Sequence, residues 1–325
     1  MLEHSPTHRH YDAATATSGM LRHILPGKDS LGLLGYPAVV WENRFLVANF
    51  FRRELLGRFR GSVLGVGWVL VQPIFMFVVY YTVFGLLIGN WKWGQAPDPN
   101  FAFYLFTGMI TFQSLSEATT NSCTVVVANG NLVKKVAFPS EVLPVDCVLV
   151  SQVVYLVAAM VSLLAWLGCA IAASYFVGFP PVVAFNPGWM LLTLPLVLIV
   201  QFTMALGIGM FLANIYVFSR DVKHLWGIIT TAWMFMTPIF WSTQMLEDKL
   251  GGAAQWMFTL NPAFSLVQAS RISLGATDYI EPGSMSFVFG DFWSHIGIAS
   301  LWAIFFLVLG YGFFLSRRHR YADLV

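Results

Sequence analysis

The sequence predicts an all-α integral membrane protein: six transmembrane helices, an N-terminal amphipathic interface helix, and short re-entrant helices between the fifth and sixth spans. Three observations carry this reading. Hydrophobic residues make up 57% of the 325 residues and charged residues 10%, against roughly 25% charged in soluble domains, and the mean hydropathy is +0.69. The stretch Arg58 to Gly85, RFRGSVLGVGWVLVQPIFMFVVYYTVFG, carries no formal charge after Arg60, enough at ~1.5 Å per residue to cross a hydrocarbon core of ~30 Å. The basic residues are also unevenly distributed between alternate connections, as the positive-inside rule requires of a multi-span protein.

In chain order, residues 1–40 are polar and then turn-rich, with Pro26, Gly27, Gly32, Gly35 and Pro37, and read as a poorly ordered cytoplasmic tail. No apolar core segment stands among its scattered His, Arg and Lys residues, so no cleavable signal peptide is expected. The His-rich start reads as tail rather than as a metal site. Residues 41–61 hold the amphipathic helix: Phe45, Ala48, Phe51, Leu55 and Phe59 recur at helical spacing beside Arg53, Glu54, Arg58 and Arg60. Residues 62–316 form the six-span domain, with spans at Ser62 to Gly89, Phe101 to Ser122, Val142 to Val177, Trp189 to Phe218, Leu225 to Trp241, and Phe292 to Ser316. The third exceeds what a bilayer needs and must tilt or project. Residues 317–325 are a second cytoplasmic tail.

Lys and Arg fall in the tail and amphipathic helix, in the second connection (Lys134, Lys135), in the fourth (Arg220, Lys223) and at the C-terminus (Arg317, Arg318, Arg320), leaving Lys92, Lys249 and Arg271 opposite. Both termini are therefore expected to be cytoplasmic, and an even number of spans requires the same. The segment Gln255 to Leu274 is apolar but broken by Asn261 and Pro262. It reads as two short helices dipping into the outer leaflet, or else as a helix lying on the outer surface. Small residues at helix-packing spacing, Gly61 and Gly65 in the first span and Ala205, Gly209 and Ala213 in the fourth, predict close helix approach.

Catalysis finds little support. Glu117 and Asp146 are the intramembrane acids, and both lie near a membrane face where water can reach them. Gly27-Lys28 is followed by Asp29 where a P-loop needs Ser or Thr. No cofactor is therefore expected on this chain, and if ATP drives it, ATP and magnesium sit on another. Cys123, Cys147 and Cys169 have no metal-ligand spacing, and a net charge of +2 does not suggest nucleic acid. Tyr80, Tyr81 and Phe84 in the first span, with Trp226, Trp233, Phe235, Phe240 and Trp241 in the fifth, offer flat apolar faces with polar edges. Such an aromatic corridor suits a sliding sugar polymer, and an interfacial belt with ordinary helix packing is the alternative. Asn131 to Pro139, NLVKKVAFP, reads as a short helix with Lys134 and Lys135 on its surface and Val133, Val136 and Phe138 as apolar contacts for a soluble partner, or as a solvated basic loop.

Three segments resemble the membrane subunits of ABC type-2 exporters that carry O-antigen, capsule-like or teichoic-acid polymers: RFRGSVLGVGWVLVQP with VFG at Val83 to Gly85, NLVKKVAFPSEVLP at Asn131 to Pro144, and LNPAFSLVQASR at Leu260 to Arg271. Phe59 replaces a usual tyrosine, and Gly67 stands where a bulky residue is common. The resemblance implies a homodimer in the bacterial cytoplasmic (inner) membrane, bound to two copies of a separate ATPase and moving a polysaccharide on a polyprenyl pyrophosphate. It implies that Asn131, Leu132, Val133, Lys134, Lys135, Val136, Phe138 and Pro139 couple to the ATPase, and that Asn261, Pro262 and Phe264 belong to an external gate. Arg58 and Arg60 are read as attracting the pyrophosphate, with topology anchoring as the alternative. Two other classes are the alternatives: a permease for a small lipophilic compound or lipid, and, less favoured, a membrane-embedded transferase acting on lipid-linked sugars. The dispersed outer acids Asp98, Glu247, Asp248, Asp278, Glu281 and Asp291 speak against the transferase.

Overall fold

A computed structural model describes residues 35–58, 61–80, 82–83, 99–134, 139–175, 188–241, 243, 249–276, 289–317 and 321. Its regular elements are helices: α1 Tyr36–Glu42, α2 Arg44–Gly57, α3 Trp68–Tyr80, α4 Pro99–Ala128, α5 Gly130–Val133, α6 Leu143–Tyr175, α7 Leu194–Phe218, α8 Val222–Met236, α9 Gly252–Leu260, α10 Pro262–Leu274 and α11 Phe289–Arg317. Short 3-10 turns lead into three of them, at Gly65–Gly67, Ser140–Val142 and Trp189–Thr193.

Three stretches are both long and apolar enough to cross a membrane: Ser140–Tyr175, Trp189–Phe218 and Phe292–Arg317. They match the third, fourth and sixth expected spans closely. The second span is longer than expected, a helix of 30 residues that carries many hydroxyls. Most of these lie inside the protein: Thr107, Thr111, Ser114, Thr119 and Ser122 are all buried. The first span shows helix over 13 residues, with Pro73 inside it.

The fifth span departs from expectation at its far end. Helix α8 stops at Met236 rather than reaching Trp241, because Thr237 turns to an extended conformation (φ −89°, ψ 133°) ahead of Pro238, which disfavours helix at the residue before it. The break leaves carbonyls without helical donors, and Arg271 of α10 supplies them. It donates to the Pro238 carbonyl at 3.0 Å and to the Ile239 carbonyl at 3.5 Å. Irregular backbone at membrane depth is tolerated when protein satisfies it in this way.

The core is centred on α7, whose neighbours are α11, α4 and α6. Gly207 and Gly310 allow the α7–α11 crossing: a Cβ on Gly310 would meet the Gly207 carbonyl, and one on Gly207 would meet the backbone of Phe306 and Leu307. Gly209 faces the Ser122 side chain, while Ala205 and Ala213 are buried, so the small residues of the fourth span do what their spacing predicts. Gly61 and Gly65 do not. Both take positive φ (81° and 52°) in the turn between α2 and α3, with open space where a Cβ would sit; they serve the turn, not helix packing.

Helix α1 starts ahead of the boundary expected at residue 41. Tyr36 is 5% exposed, donates to the Glu141 carbonyl at 3.1 Å and packs on the Tyr311 ring at 4.8 Å. Burial, with the negative Glu141 nearby, pushes its phenol well above the ordinary range, so it stays a neutral donor. The face of α2 that docks also differs from expectation. Val47 and Phe50 are buried against the core cluster, whereas Phe45 is 72% exposed and Ala48 is exposed. Helix α2 is thus apolar on two sides, one packed on α6 and one open.

The broken segment is two helices, α9 and α10, parted at Asn261. For α10 the surface-helix alternative fails, since every residue from Ala263 to Leu274 is buried. Its polar residues survive there through cross-helix bonds: Ser270 is held by Thr111 at 2.7 Å and Tyr155 at 2.6 Å, and Ser273 by Thr193 at 2.7 Å. Helix α9 is the exposed member, with Trp256 at 72% and Leu260 at 64%.

Candidate conduit, gate and coupling corner

The fifth-span aromatics divide into two groups. Trp226 and Trp233 lie on the face of α8 turned to α4 and are half-buried. The Trp226 indole donates to the Thr119 hydroxyl at 3.0 Å, that of Trp233 donates to Asn261 Oδ1 at 2.7 Å, and the Trp233 ring meets Phe112 at 5.7 Å. These two are pinned by both ring and N–H. Phe235 is 59% exposed and stacks on Phe240 at 5.5 Å. The Trp241 indole donates to the Phe235 carbonyl at 3.0 Å, and its ring leads through Phe258 (6.5 Å) to Phe264, which stacks on Phe258 at 4.6 Å.

Asn261 joins the corridor to the segment read as a gate. Its Oδ1 accepts from the Ala263 backbone N–H at 3.1 Å, capping α10 with Pro262 in the first turn. The same oxygen takes the Trp233 indole, and its amide donates to Thr237 at 3.0 Å. Trp233 and Asn261, placed in separate sites from the sequence, therefore form one contact. Phe264 is 6% exposed and meets His295 at 5.6 Å.

Arg271, expected among the outer-side connecting charges, does not lie in a solvated loop. It is fully buried, donates to the Tyr104 carbonyl at 3.2 Å and Gln268 at 3.1 Å, and lies 3.6 Å from the Tyr104 ring centroid. Gly108 makes room for its guanidinium. A buried arginine has no bearing on the loop-charge argument for orientation; its five fixed donors instead serve broken backbone.

Of the first-span aromatics, Tyr80 is half-buried between two core clusters, while Tyr81 and Phe84 lie outside the described residues. Tyr80 lines a cleft between α3, α4 and α6, with Gln72, Met76, Gln113 and Glu117 among its walls. Glu117 is not simply solvated: it forms an ion pair with Arg58. Arg60 lies outside the described residues.

A second arginine of the same segment reaches the far end of α4. Arg53 donates to Asn129 Oδ1 at 3.0 Å, and Asn129 stands at the start of the four-residue helix α5, with its own amide given to the Val125 carbonyl at 2.9 Å. Asn131 and Lys134 are exposed there, and Leu132, Val133 and Pro139 are half-buried; Lys135, Val136 and Phe138 lie outside the described residues. The amphipathic helix, the end of α4 and α5 thus make one corner.

The sequence points to Glu117 alone among a larger set on α4. Gln113, Ser116, Glu117, Thr120, Asn121 and Thr124 are exposed or half-buried and fall on one side of the helix. Their spacing of i, i+3, i+4, i+7, i+8 and i+11 was the available signal.

Residues 46–275 match the family model described as ABC-2 type transporter, and the chain belongs to that family. Among individual relatives, it is similar to the O-antigen export system permease protein RfbA of Myxococcus xanthus, 28% identical over 228 residues, covering 70% of this chain and 79% of that one. It is also similar to the protein of the same name from Klebsiella pneumoniae, 23% identical over 280 residues, covering 86% of this chain and 95% of that one.

Proposed function

We propose that this chain is the transmembrane subunit of an ATP-driven exporter that moves a lipid-linked polysaccharide, O-antigen or a similar cell-surface glycan, across the bacterial cytoplasmic membrane. It works as a homodimer with two copies of an ATP-binding cassette subunit, which carries the ATP and magnesium. The observation that carries this reading is kinship over 95% of the length of a relative named as an O-antigen export permease, within the ABC-2 family.

The geometry supports a route for coupling. Closure of the ATPase dimer presses on α5 and on α2, which Arg53 ties to Asn129. The Arg58–Glu117 pair carries that displacement to α4 a few turns further up, and Trp226 and Trp233 carry it from α4 to α8 and Asn261. Each contact has a discrete partner, so the ATPase's differential affinity for the closed arrangement biases the whole set. The pyrophosphate of the lipid carrier takes the remaining N–H groups of Arg58 together with Arg60. Both termini are cytoplasmic in this reading.

The test is in the parent bacterium. Deleting the chain should remove polymer from the surface while lipid-linked polymer accumulates inside, and crosslinking from a cysteine at Lys134 should capture the ATPase. Undiminished surface polymer, or an absence of crosslink in every nucleotide state, would reject the reading.

A further inference from the structure

Helix α4 carries polar side chains on opposite sides, and the fold treats the two sides differently. On the inner side the groups are bonded: Thr111 donates to Ser270 at 2.7 Å, Ser114 to the Ser151 carbonyl at 3.0 Å, and Thr119 accepts from Trp226 at 3.0 Å. On the other side lie Gln113, Ser116, Glu117, Thr120, Asn121 and Thr124, at spacings that keep them in one stripe over three turns. Gln113 is exposed and the rest half-buried. Glu117 is engaged by Arg58, but the side chains of Gln113, Ser116, Thr120 and Asn121 have no hydrogen-bond partner among the described residues.

The surroundings say what this face is for. Two turns before Gln113 on the same line of α4, Phe106 meets Phe77 of α3 at 5.0 Å; along one edge stands α8, through Trp226 and Trp233. The stripe starts at the cleft lined by Gln72, Tyr80, Gln113 and Glu117 and runs toward Asn129. Lipid tails cannot satisfy amides and hydroxyls, so the face requires water or a polar ligand. Apart from the paired Glu117, the stripe holds neutral donors and acceptors only, which match a row of hydroxyls and offer no fixed counter-charge to an ion. A second copy of the chain has aliphatic surface to use instead, on Ile228, Ile229 and Met236 of α8.

We propose that this stripe of α4, between α3 and α8, is the wall of the conduit that hydrogen-bonds the sugar hydroxyls of the passing polymer. The inference rests on the polysaccharide-export reading above and adds to it the wall that contacts the cargo. Weak, exchangeable bonds from several equivalent groups let a chain advance without being trapped at one position.

The experiment uses the full exporter with its ATPase, in its own membrane. Combining Gln113→Leu, Thr120→Val and Asn121→Leu keeps volume and removes the hydrogen bonds. Surface polymer should fall about five- to tenfold, the scale of roughly one net hydrogen bond, while ATP hydrolysis stays within about twofold. In a Cys169→Ala background, single cysteines at Thr120 or Asn121 should react with a water-soluble thiol reagent and be shielded while polymer is in transit; one at the buried Ser122 should not react. Normal export by the triple variant, or single cysteines that never react, overturns the proposal. Should the triple variant fail to assemble, the thiol labelling decides alone. Loss of the whole chain without loss of surface polymer would instead remove the export reading itself.

Discussion

Arg271 shows how much one side chain can decide in an apolar protein. Four acceptors converge on its guanidinium: the carbonyls of Tyr104, Pro238 and Ile239 and the Gln268 amide oxygen. Without it, the Ile239 carbonyl loses its side-chain donor and the Pro238 carbonyl keeps only the Tyr104 hydroxyl, at 3.5 Å, at about 1–3 kcal/mol for each group left unsatisfied. Arg271→Met should therefore prevent accumulation of folded protein, and Arg271→Lys, with three mobile donors in place of a planar fork, should lower the unfolding midpoint in detergent. A midpoint unchanged in both variants would mean that these carbonyls are satisfied otherwise. Sequence reading treated this arginine as a loop charge because hydropathy cannot distinguish a charge in a loop from one enclosed by two other helices. Asn261 was legible: an Asn-Pro pair ahead of an apolar run is a helix-start signal, and it caps α10 as that signal implies.

At the scale of elements, close approach and docking have separate causes. Helices α7 and α11 touch through Gly207 and Gly310, so Gly207→Ala or Gly310→Ala forces backbone against backbone, at about 1–3 kcal/mol or more. Gly168 and Gly297 have open space where a Cβ would go, and alanine there should be neutral or slightly favourable, since glycine costs a helix up to ~1 kcal/mol. Comparing monodisperse yield and midpoint of the four variants checks this; equal behaviour would deny the crossing. Helix α2 is held mainly by burial of Val47 and Phe50, at about 1.5–3 kcal/mol each. The Arg58–Glu117 pair, with side chains 21% and 29% exposed, is worth under about 1 kcal/mol and sets orientation more than affinity.

For the whole molecule, the open surface is as informative as the core. Helix α8 packs by one side, through Trp226, Thr230, Trp233 and Thr237, and leaves Leu225 (57%), Ile228 (69%), Ile229 (51%), Phe235 (59%) and Met236 (67%) uncovered. In the proposed homodimer this face meets the second copy beside the conduit. In a Cys169→Ala background, a cysteine at Ile228 should then crosslink between copies more efficiently than one at Leu301 on α11, which is 71% exposed. Crosslinking at Leu301 and not at Ile228 would put the dimer contact elsewhere.

What the sequence determined by itself is the membrane class, the position of the long helices, the break at Asn261 and the family, because each follows from local composition, spacing or motif. Tertiary structure alone decided that α8 stops at Met236 with its carbonyls given to Arg271, that Trp233 and Asn261 meet, that Arg58 and Glu117 pair across 59 positions, and that α2 docks by Val47 and Phe50 rather than by its other apolar side. In a chain this apolar, every helix has more than one greasy face. Which face is buried, and which polar groups keep unspent hydrogen bonds, depends on neighbours brought together from distant parts of the chain.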